Sequence, residues 1–344
     1  MVKATIVTDG KTAPAQVKNT ADVIPSTPVF RRTLEPQTMS KIVIKFGGYQ
    51  NPASIHNRAA ERFGELLKKQ VADRIDFQLI GNVLNIGRQS GDLPKMVASG
   101  ELSLCYISSV RFTDPVPEFK VLELPFLIKD RASVQRAFAG EFGKLLQTRM
   151  EENTPHKLLG VWDNGFRHFT NKVRPIRTPA DCKGLKVRCQ VSEMHVEALQ
   201  AMGFEPISVD VKEFVDGIDG PRFDGQENPL TNTYNFGVQK YHRYQTLTGH
   251  LFGATVMICN KEHYQSWPAD LQAAVDEAGR AATRYQLELA AAEDAEMLAK
   301  FKLVPDHEII TLSDAERAPF VAAVQPVLEK YRRELDPKLF SYLA

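Results

Sequence analysis

From residue 42 onward the apolar positions fall into short blocks that alternate between two periods. Ile42, Val43, Ile44 and Phe46 form a run that ends at Gly47-Gly48, the pattern of a buried strand. Residues 53–71 then carry Ile55, Ala59, Phe63, Leu66 and Leu67 at helical spacing. Residues 75–80 read as a second strand, 93–98 as a short helix stopped at Gly100, and 102–107 as a third strand. This β-α-β-α-β rhythm predicts a mostly parallel sheet with helices on its faces.

The same rhythm repeats further along. Residues 122–128 are apolar but interrupted by Pro125, a short strand or packed loop, and 133–150 read as helix. Strands are expected at 158–162, 167–170, 185–189, 206–209 and 223–226, with helices at 192–202, 211–218 and 230–238. Thr178-Pro179-Ala180-Asp181 is a helix start with proline in its first turn. Residues 244–248 and 254–259 are strand-like, and these runs are expected to cross from one domain to the other. Residues 268–302 hold no breaker except Gly279. A helix of that length reaches about 50 Å, more than a small domain is wide, so it should span two. A strand at 308–311 and a helix at 314–335 close the pattern.

A chain of 344 residues exceeds the usual size of one core, which agrees with two domains. With 43% apolar and 25% charged residues it has the composition of a soluble globular protein. A net charge of +1 leaves no basic excess for nucleic acid. No apolar run approaches a membrane span. Residues 1–40 are rich in Thr, Pro, Ala and charge and read as a disordered tail. They show no basic segment followed by an apolar core, so no secretory signal is recognised; no hydrophobic stretch follows Arg31-Arg32, and Met39 is an alternative start. The four cysteines lack C-x-x-C spacing and are expected to be small buried hydrophobes, with pairing of Cys182 and Cys189 left open.

The chemistry concentrates in Arg222-Phe223-Asp224-Gly225-Gln226-Glu227-Asn228-Pro229-Leu230 and two upstream arginines. Leu185, Val187 and Cys189 alternate with Lys186 and Arg188, so Arg188 leaves the apolar face of its strand. Arg167 follows Gly165 and lies beside Phe166 and Phe169; His168 should face away from it and pack or meet solvent. Asn228 precedes Pro229, which favours an extended backbone that presents the amide. Gln226 belongs to the same polar cluster, read as a turn following a strand. Three strands thus aim two guanidiniums and an amide at one place, and the guanidinium fork grips a carboxylate bidentately. The plain alternatives are arginines in surface salt bridges or stacked on rings, and a capped loop at Asn228. No nucleophile motif, Walker loop, G-x-G-x-x-G or metal-ligand spacing occurs, so neither cofactor nor metal is expected. Cys105 with a distant histidine, or Glu227 with His250, offers no better than a chance catalytic pair.

Seven pieces in order resemble the extracytoplasmic solute-binding subunits of TRAP transporters, the DctP family. They are Lys45-Phe46-Gly47, Glu123-Leu124-Pro125-Phe126-Leu127, Trp162 to Asn171, Thr178 to Arg188, Gly203 to Phe214, Asp224 to Pro229, and Thr246 to His250. The likeness covers residues 41–335. It implies a two-domain α/β, periplasmic-binding-protein-like fold with hinge-crossing strands and one long helix spanning both domains. Domain I would be 41–163 with about 253–292, and domain II 164–252 with about 293–335. The implied function is binding of a small organic acid and its delivery to a membrane permease, by a monomer that is not an enzyme. The resemblance assigns the ligand carboxylate chiefly to Arg188, assisted by Arg167 and Asn228. Tyr49, Tyr106 and Ser108 of the first domain would set specificity. Val211 stands where the family often has an aromatic residue, Ser108 where some sugar-acid binders carry an acid, and Asp219-Gly220-Pro221 replaces a more usual turn. The family implies a periplasmic location, and the unrecognised signal leaves a cytoplasmic sensor or enzyme on the same scaffold as the alternative.

Overall fold

The computed structural model describes residues 40–343, and the expected tail lies outside them apart from Ser40. Nine strands form one mixed sheet: β1 Ile42–Gly47, β2 Ile75–Ile80, β3 Leu104–Ser108, β4 His156–Asn171, β5 Lys186–Cys189, β6 Glu205–Ser208, β7 Gly225–Pro229, β8 Tyr244–Asn260 and β9 Glu308–Thr311. Their order is β2-β1-β3-β8-β4-β7-β5-β6, with β9 against β8.

The organising feature is the antiparallel pair of β4, 16 residues, and β8, 17 residues. The second half of β8 pairs with β3, the last strand of the first βαβ run. Its first half pairs with β9, while the second half of β4 pairs with β7. One strand pair therefore runs through two lobes, each completed by its own parallel strands. The paired register shifts at Leu158/Gly160, Asp163/Gly165 and Arg167/Phe169. Gly165 has φ +95°, and a Cβ there would lie 3.2 Å from the Pro229 side chain, so only glycine fits without strain.

Several elements differ from the sequence pattern, each for a local reason. The expected strands 158–162 and 167–170 are one strand, as are 244–248 and 254–259; their glycines sit in bulges and close approaches rather than in breaks. Residues 133–150 divide into helices Arg131–Ala139 and Glu141–Asn153 at Gly140. Residues 314–335 divide into Asp314–Ala323 and Gln325–Glu334, because Pro326 cannot continue the preceding turn. Pro125 ends the 3₁₀ turn Pro117–Glu123 in a packed loop. The strand expected at 223–226 is β7, Gly225–Pro229, so Gln226, Glu227 and Asn228 lie in a strand and not in the expected turn after one.

The long helix Ala269–Phe301 has 33 residues, about 50 Å at 1.5 Å each. It packs along β4 and is pinned at Asp163. The buried Gln286 amide donates to Asp163 O at 2.6 Å and accepts from Asp163 N–H at 2.9 Å. Arg131 adds a second pin, bridging Asp163 and Asp294 at 2.7 and 2.8 Å. Gln286→Leu strands both backbone groups of a buried residue. The expected cost is about 1–3 kcal/mol, read as a lower midpoint in urea unfolding.

All four cysteines are buried free thiols, so Cys182 and Cys189 are not bridged. Burial raises the pKa of each, Cys189 to about 12. Among the described residues no helix is long and apolar enough to cross a membrane.

Candidate functional site

Between the lobes lies a cavity lined by Tyr49, Ser90, Ile107, Ser108 and Arg111 from one side and Arg167, Arg188, Gln190, Val211 and Asn228 from the other, with Asn164, Asn232 and Phe236 completing the wall. Its free volume is ≈ 20 Å³, room for about one water, so even a small acid must enter with the lobes apart.

Arg188 projects from β5, between β6 and β7, and is 3% exposed. Its Nε and Nη2 donate to Val209 O at 3.1 and 3.0 Å, which fixes the plane of the fork. Phe214 lies under it, 5.8 Å from ring centre to Cζ. Among the described residues no carboxylate stands within salt-bridge distance, and Nη1 has no acceptor. Burial without a counter-ion lowers its pKa to about 10. A buried, oriented, unpaired guanidinium is costly unless something supplies the missing anion.

Arg167 is as buried but differently placed. Its Nε and Nη2 grip the Glu227 carboxylate as a fork, and Nη2 also reaches Glu227 O at 2.7 Å and Asn228 Oδ1 at 3.2 Å. Burial opposes the charge on both partners. The pairing outweighs it, raising the Arg167 pKa and holding the Glu227 carboxyl well below its usual 4.5 with help from His250. Most of Arg167 is therefore committed within the protein, leaving Nη1 for any other partner. Asn228 is committed too: Nδ2 donates to Gln226 Oε1 and Oδ1 accepts from Arg167.

The sequence-predicted residues thus divide. Arg188, Arg167, Asn228, Tyr49, Ser108 and Val211 share the cavity wall. Tyr106 and Gln226 do not reach it. Tyr106 is in the first lobe's core beside Phe46, His56 and Trp162, its hydroxyl donating to Asn57 Oδ1 at 3.0 Å and accepting from Gln50 N–H at 3.2 Å. Gln226 donates to Thr170 Oγ1 and Thr233 Oγ1 and holds Asn228 in place. In each case strand alternation gives the right face, since Tyr106 and Ser108, and Gln226 and Asn228, are two residues apart, but only the residue nearer the strand end reaches the cavity.

The sequence reading missed a cluster built on Asp210. This residue caps the helix Val211–Asp216, accepting from Lys212 N–H at 3.0 Å. Its carboxylate also accepts from Ser90 Oγ at 2.7 Å, Ser90 N–H at 3.3 Å, Gly91 N–H at 3.0 Å and Arg111 Nη2 at 2.8 Å. Burial pushes the Asp210 carboxyl up, but these donors and the Arg111 charge together hold it below the usual range. Ser90, Gly91 and Arg111 belong to the first lobe and Asp210 to the second, so the carboxylate ties the lobes together. Gln50 Nε2 to Asn232 Oδ1 at 2.9 Å and Glu123 to His195 at 2.9 Å do the same on other sides of the cavity. A lone Asp before an apolar residue gives no sequence signal beyond a helix cap.

Comparison with known proteins agrees with this architecture. The profile of the DctP family, described as bacterial extracellular solute-binding protein, family 7, matches residues 46–334. A solute-binding protein of Verminephrobacter eiseniae is 28% identical over 277 residues, 80% of this chain and 81% of its own. The C4-dicarboxylate-binding periplasmic protein DctP of Rhodobacter capsulatus is 27% identical over 293 residues, 85% and 87%. The sugar acid binding protein DctPAm of Advenella mimigardefordensis, solved with galactonate, superposes with a TM-score of 0.83 at 22% identity over 89% of this chain and 97% of its own. These relatives are binding proteins and not enzymes.

Proposed function

Because the chain belongs to the DctP family of bacterial extracellular solute-binding proteins, we propose that it captures a small organic acid between its lobes and delivers it to a TRAP-type membrane permease. The observation that carries this reading is Arg188, a buried cation held rigid by Val209 O with its end-on Nη1/Nη2 edge unpaired. A carboxylate on that edge supplies the missing counter-ion and completes a bidentate pair. Arg167 Nη1 and the remaining Asn228 amide hydrogen assist, while Tyr49, Ser108 and Val211 shape the space. Tyr106 and Gln226 serve behind the wall as supports.

The two lobes are 41–163 with about 253–292, and 164–252 with about 293–335. The register shift at Asp163 and Gly165 supports the first boundary. Closure is a population shift, driven by contacts that the acid makes only when both walls are present. A monomer working in the periplasm is the form this reading requires, with no cofactor and no nucleic acid involved.

Native mass spectrometry of the purified protein, followed by thermal-shift titration with mono- and dicarboxylates, tests the proposal. A ligand at 100 times its Kd adds about 2.7 kcal/mol of stability, so a cognate acid is expected to move the midpoint by several degrees. No co-purified acid and no shift with any acid at millimolar concentration would overturn it.

A further inference from the structure

The cavity wall carries three guanidiniums, Arg111, Arg167 and Arg188. Two are already neutralised by carboxylates of the protein: Arg167 by Glu227, and Arg111 by Asp210 at 2.8 Å. Three positive charges against two negative ones leave a surplus of one, and it resides on Arg188. Behind the wall, Glu123 is met by His195 and by Ser109 Oγ and does not line the cavity.

The rest of the lining is uncharged: Ser90, Ser108, Asn164, Gln190, Asn228 and Asn232 are polar, and Tyr49, Ile107, Val211 and Phe236 supply apolar or aromatic surface. Asn164 is 2% exposed and its amide oxygen has no donor among the described residues. That oxygen needs a hydroxyl or amine hydrogen, which a carboxylate cannot give. An ammonium would meet the surplus positive charge, so a hydroxyl fits better.

Resting on the carboxylate reading above, we propose that this site selects hydroxylated monocarboxylates and rejects dicarboxylates, and that Asp210 is the residue that sets this choice. The ligand's single carboxylate pairs with Arg188 and its hydroxyls meet the amides. A second carboxylate finds no cation without a counter-ion of its own, because Glu227 pairs with Arg167 and Asp210 with Arg111, and beside Arg111 it would meet the Asp210 charge behind the wall. Rejection thus comes from a built-in anion as well as from a missing partner. Asp210 also links the lobes, so its pairing with Arg111 is present whenever the site is closed.

The test is isothermal titration with matched pairs of equal carbon number: glycerate with tartronate, threonate with tartrate, gluconate with glucarate. The wild-type protein is expected to bind the preferred monocarboxylate at least tenfold more tightly than its dicarboxylate counterpart. Asp210→Asn keeps the oxygen that accepts from Lys212 and Ser90 N–H but gives up the one that accepts from Arg111, Ser90 Oγ and Gly91 N–H, and is expected to shrink that ratio tenfold or more. The apo midpoint of the variant is measured alongside, and the wild-type ratio stands as a test even if the variant unfolds. A dicarboxylate bound as tightly as its monocarboxylate partner overturns the inference while leaving the carboxylate reading intact. So does an unchanged ratio in a folded Asp210→Asn variant. If no acid of either class binds, it is the carboxylate reading that fails.

Discussion

Arg188→Ala is expected to weaken binding of the cognate acid by about 3–5 kcal/mol, roughly 150- to 5,000-fold, because it leaves a carboxylate buried without its cation. The fold should not suffer. In the closed protein Arg188 has no counter-ion to lose, and its burial is an existing cost that lowers its pKa to about 10. Stability of the ligand-free protein is therefore expected to stay level or to rise, and Arg188→Met, which keeps the stem packed over Phe214, should show this most clearly. Loss of affinity with no loss of apo stability distinguishes a ligand anchor from a structural arginine. Titration calorimetry and thermal unfolding of the same two variants give both numbers. Binding within threefold of wild type in Arg188→Ala would sink the assignment.

Glu227→Ala should behave in the opposite way. Arg167 is 2% exposed and its fork closes on Glu227, so removal of the carboxylate strands a buried positive charge. The expected cost is about 3–5 kcal/mol of folding stability, read in urea unfolding. A paired apolar replacement, Arg167→Met with Glu227→Leu, should recover much of it, since neither charge is then left alone. The pH dependence carries the same signature. The folded-state pKa of Glu227 lies below its ordinary 4.5, so its contribution is fully present above about pH 4.5 and is lost as pH falls towards the folded value. Wild-type stability should decline through that window more steeply than the stability of Glu227→Gln. Equal slopes would show that the pair does not hold the second lobe together.

These two arginines looked alike in the sequence and are opposite in the structure. Both lie on strands beside apolar neighbours, and both were readable as anchors from donor chemistry alone. What separates them is a partner 60 positions away in the chain, Glu227, which strand pairing of β4 with β7 brings alongside Arg167. Register between distant strands is not written in local spacing. The same limit hid the role of Asp210, whose partners Ser90, Gly91 and Arg111 lie on the other lobe. By contrast, elements governed by local rules were legible almost to the residue: strand Ile75–Ile80, helix Leu93–Ala98, strand Glu308–Thr311 and the long helix Ala269–Phe301. Errors gathered at glycines and prolines and ran both ways: glycines inside β4 and β8 read as breaks that strand pairing bridges, while Gly140 and Pro326 divide helices that read as continuous.

The four sequestered thiols have a practical corollary. The chain contains no other cysteine, and each of these is buried with its pKa raised, so an alkylating reagent at neutral pH meets almost no thiolate on the folded protein. Ser208, at the exposed end of β6, lines a surface pocket together with Val110 and Thr113 of the first lobe. A cysteine placed there would be the single reactive handle on an otherwise silent background. A dye attached to it would sit in a narrowing gap as the lobes approach, turning ligand capture into an optical signal without removal of any native cysteine.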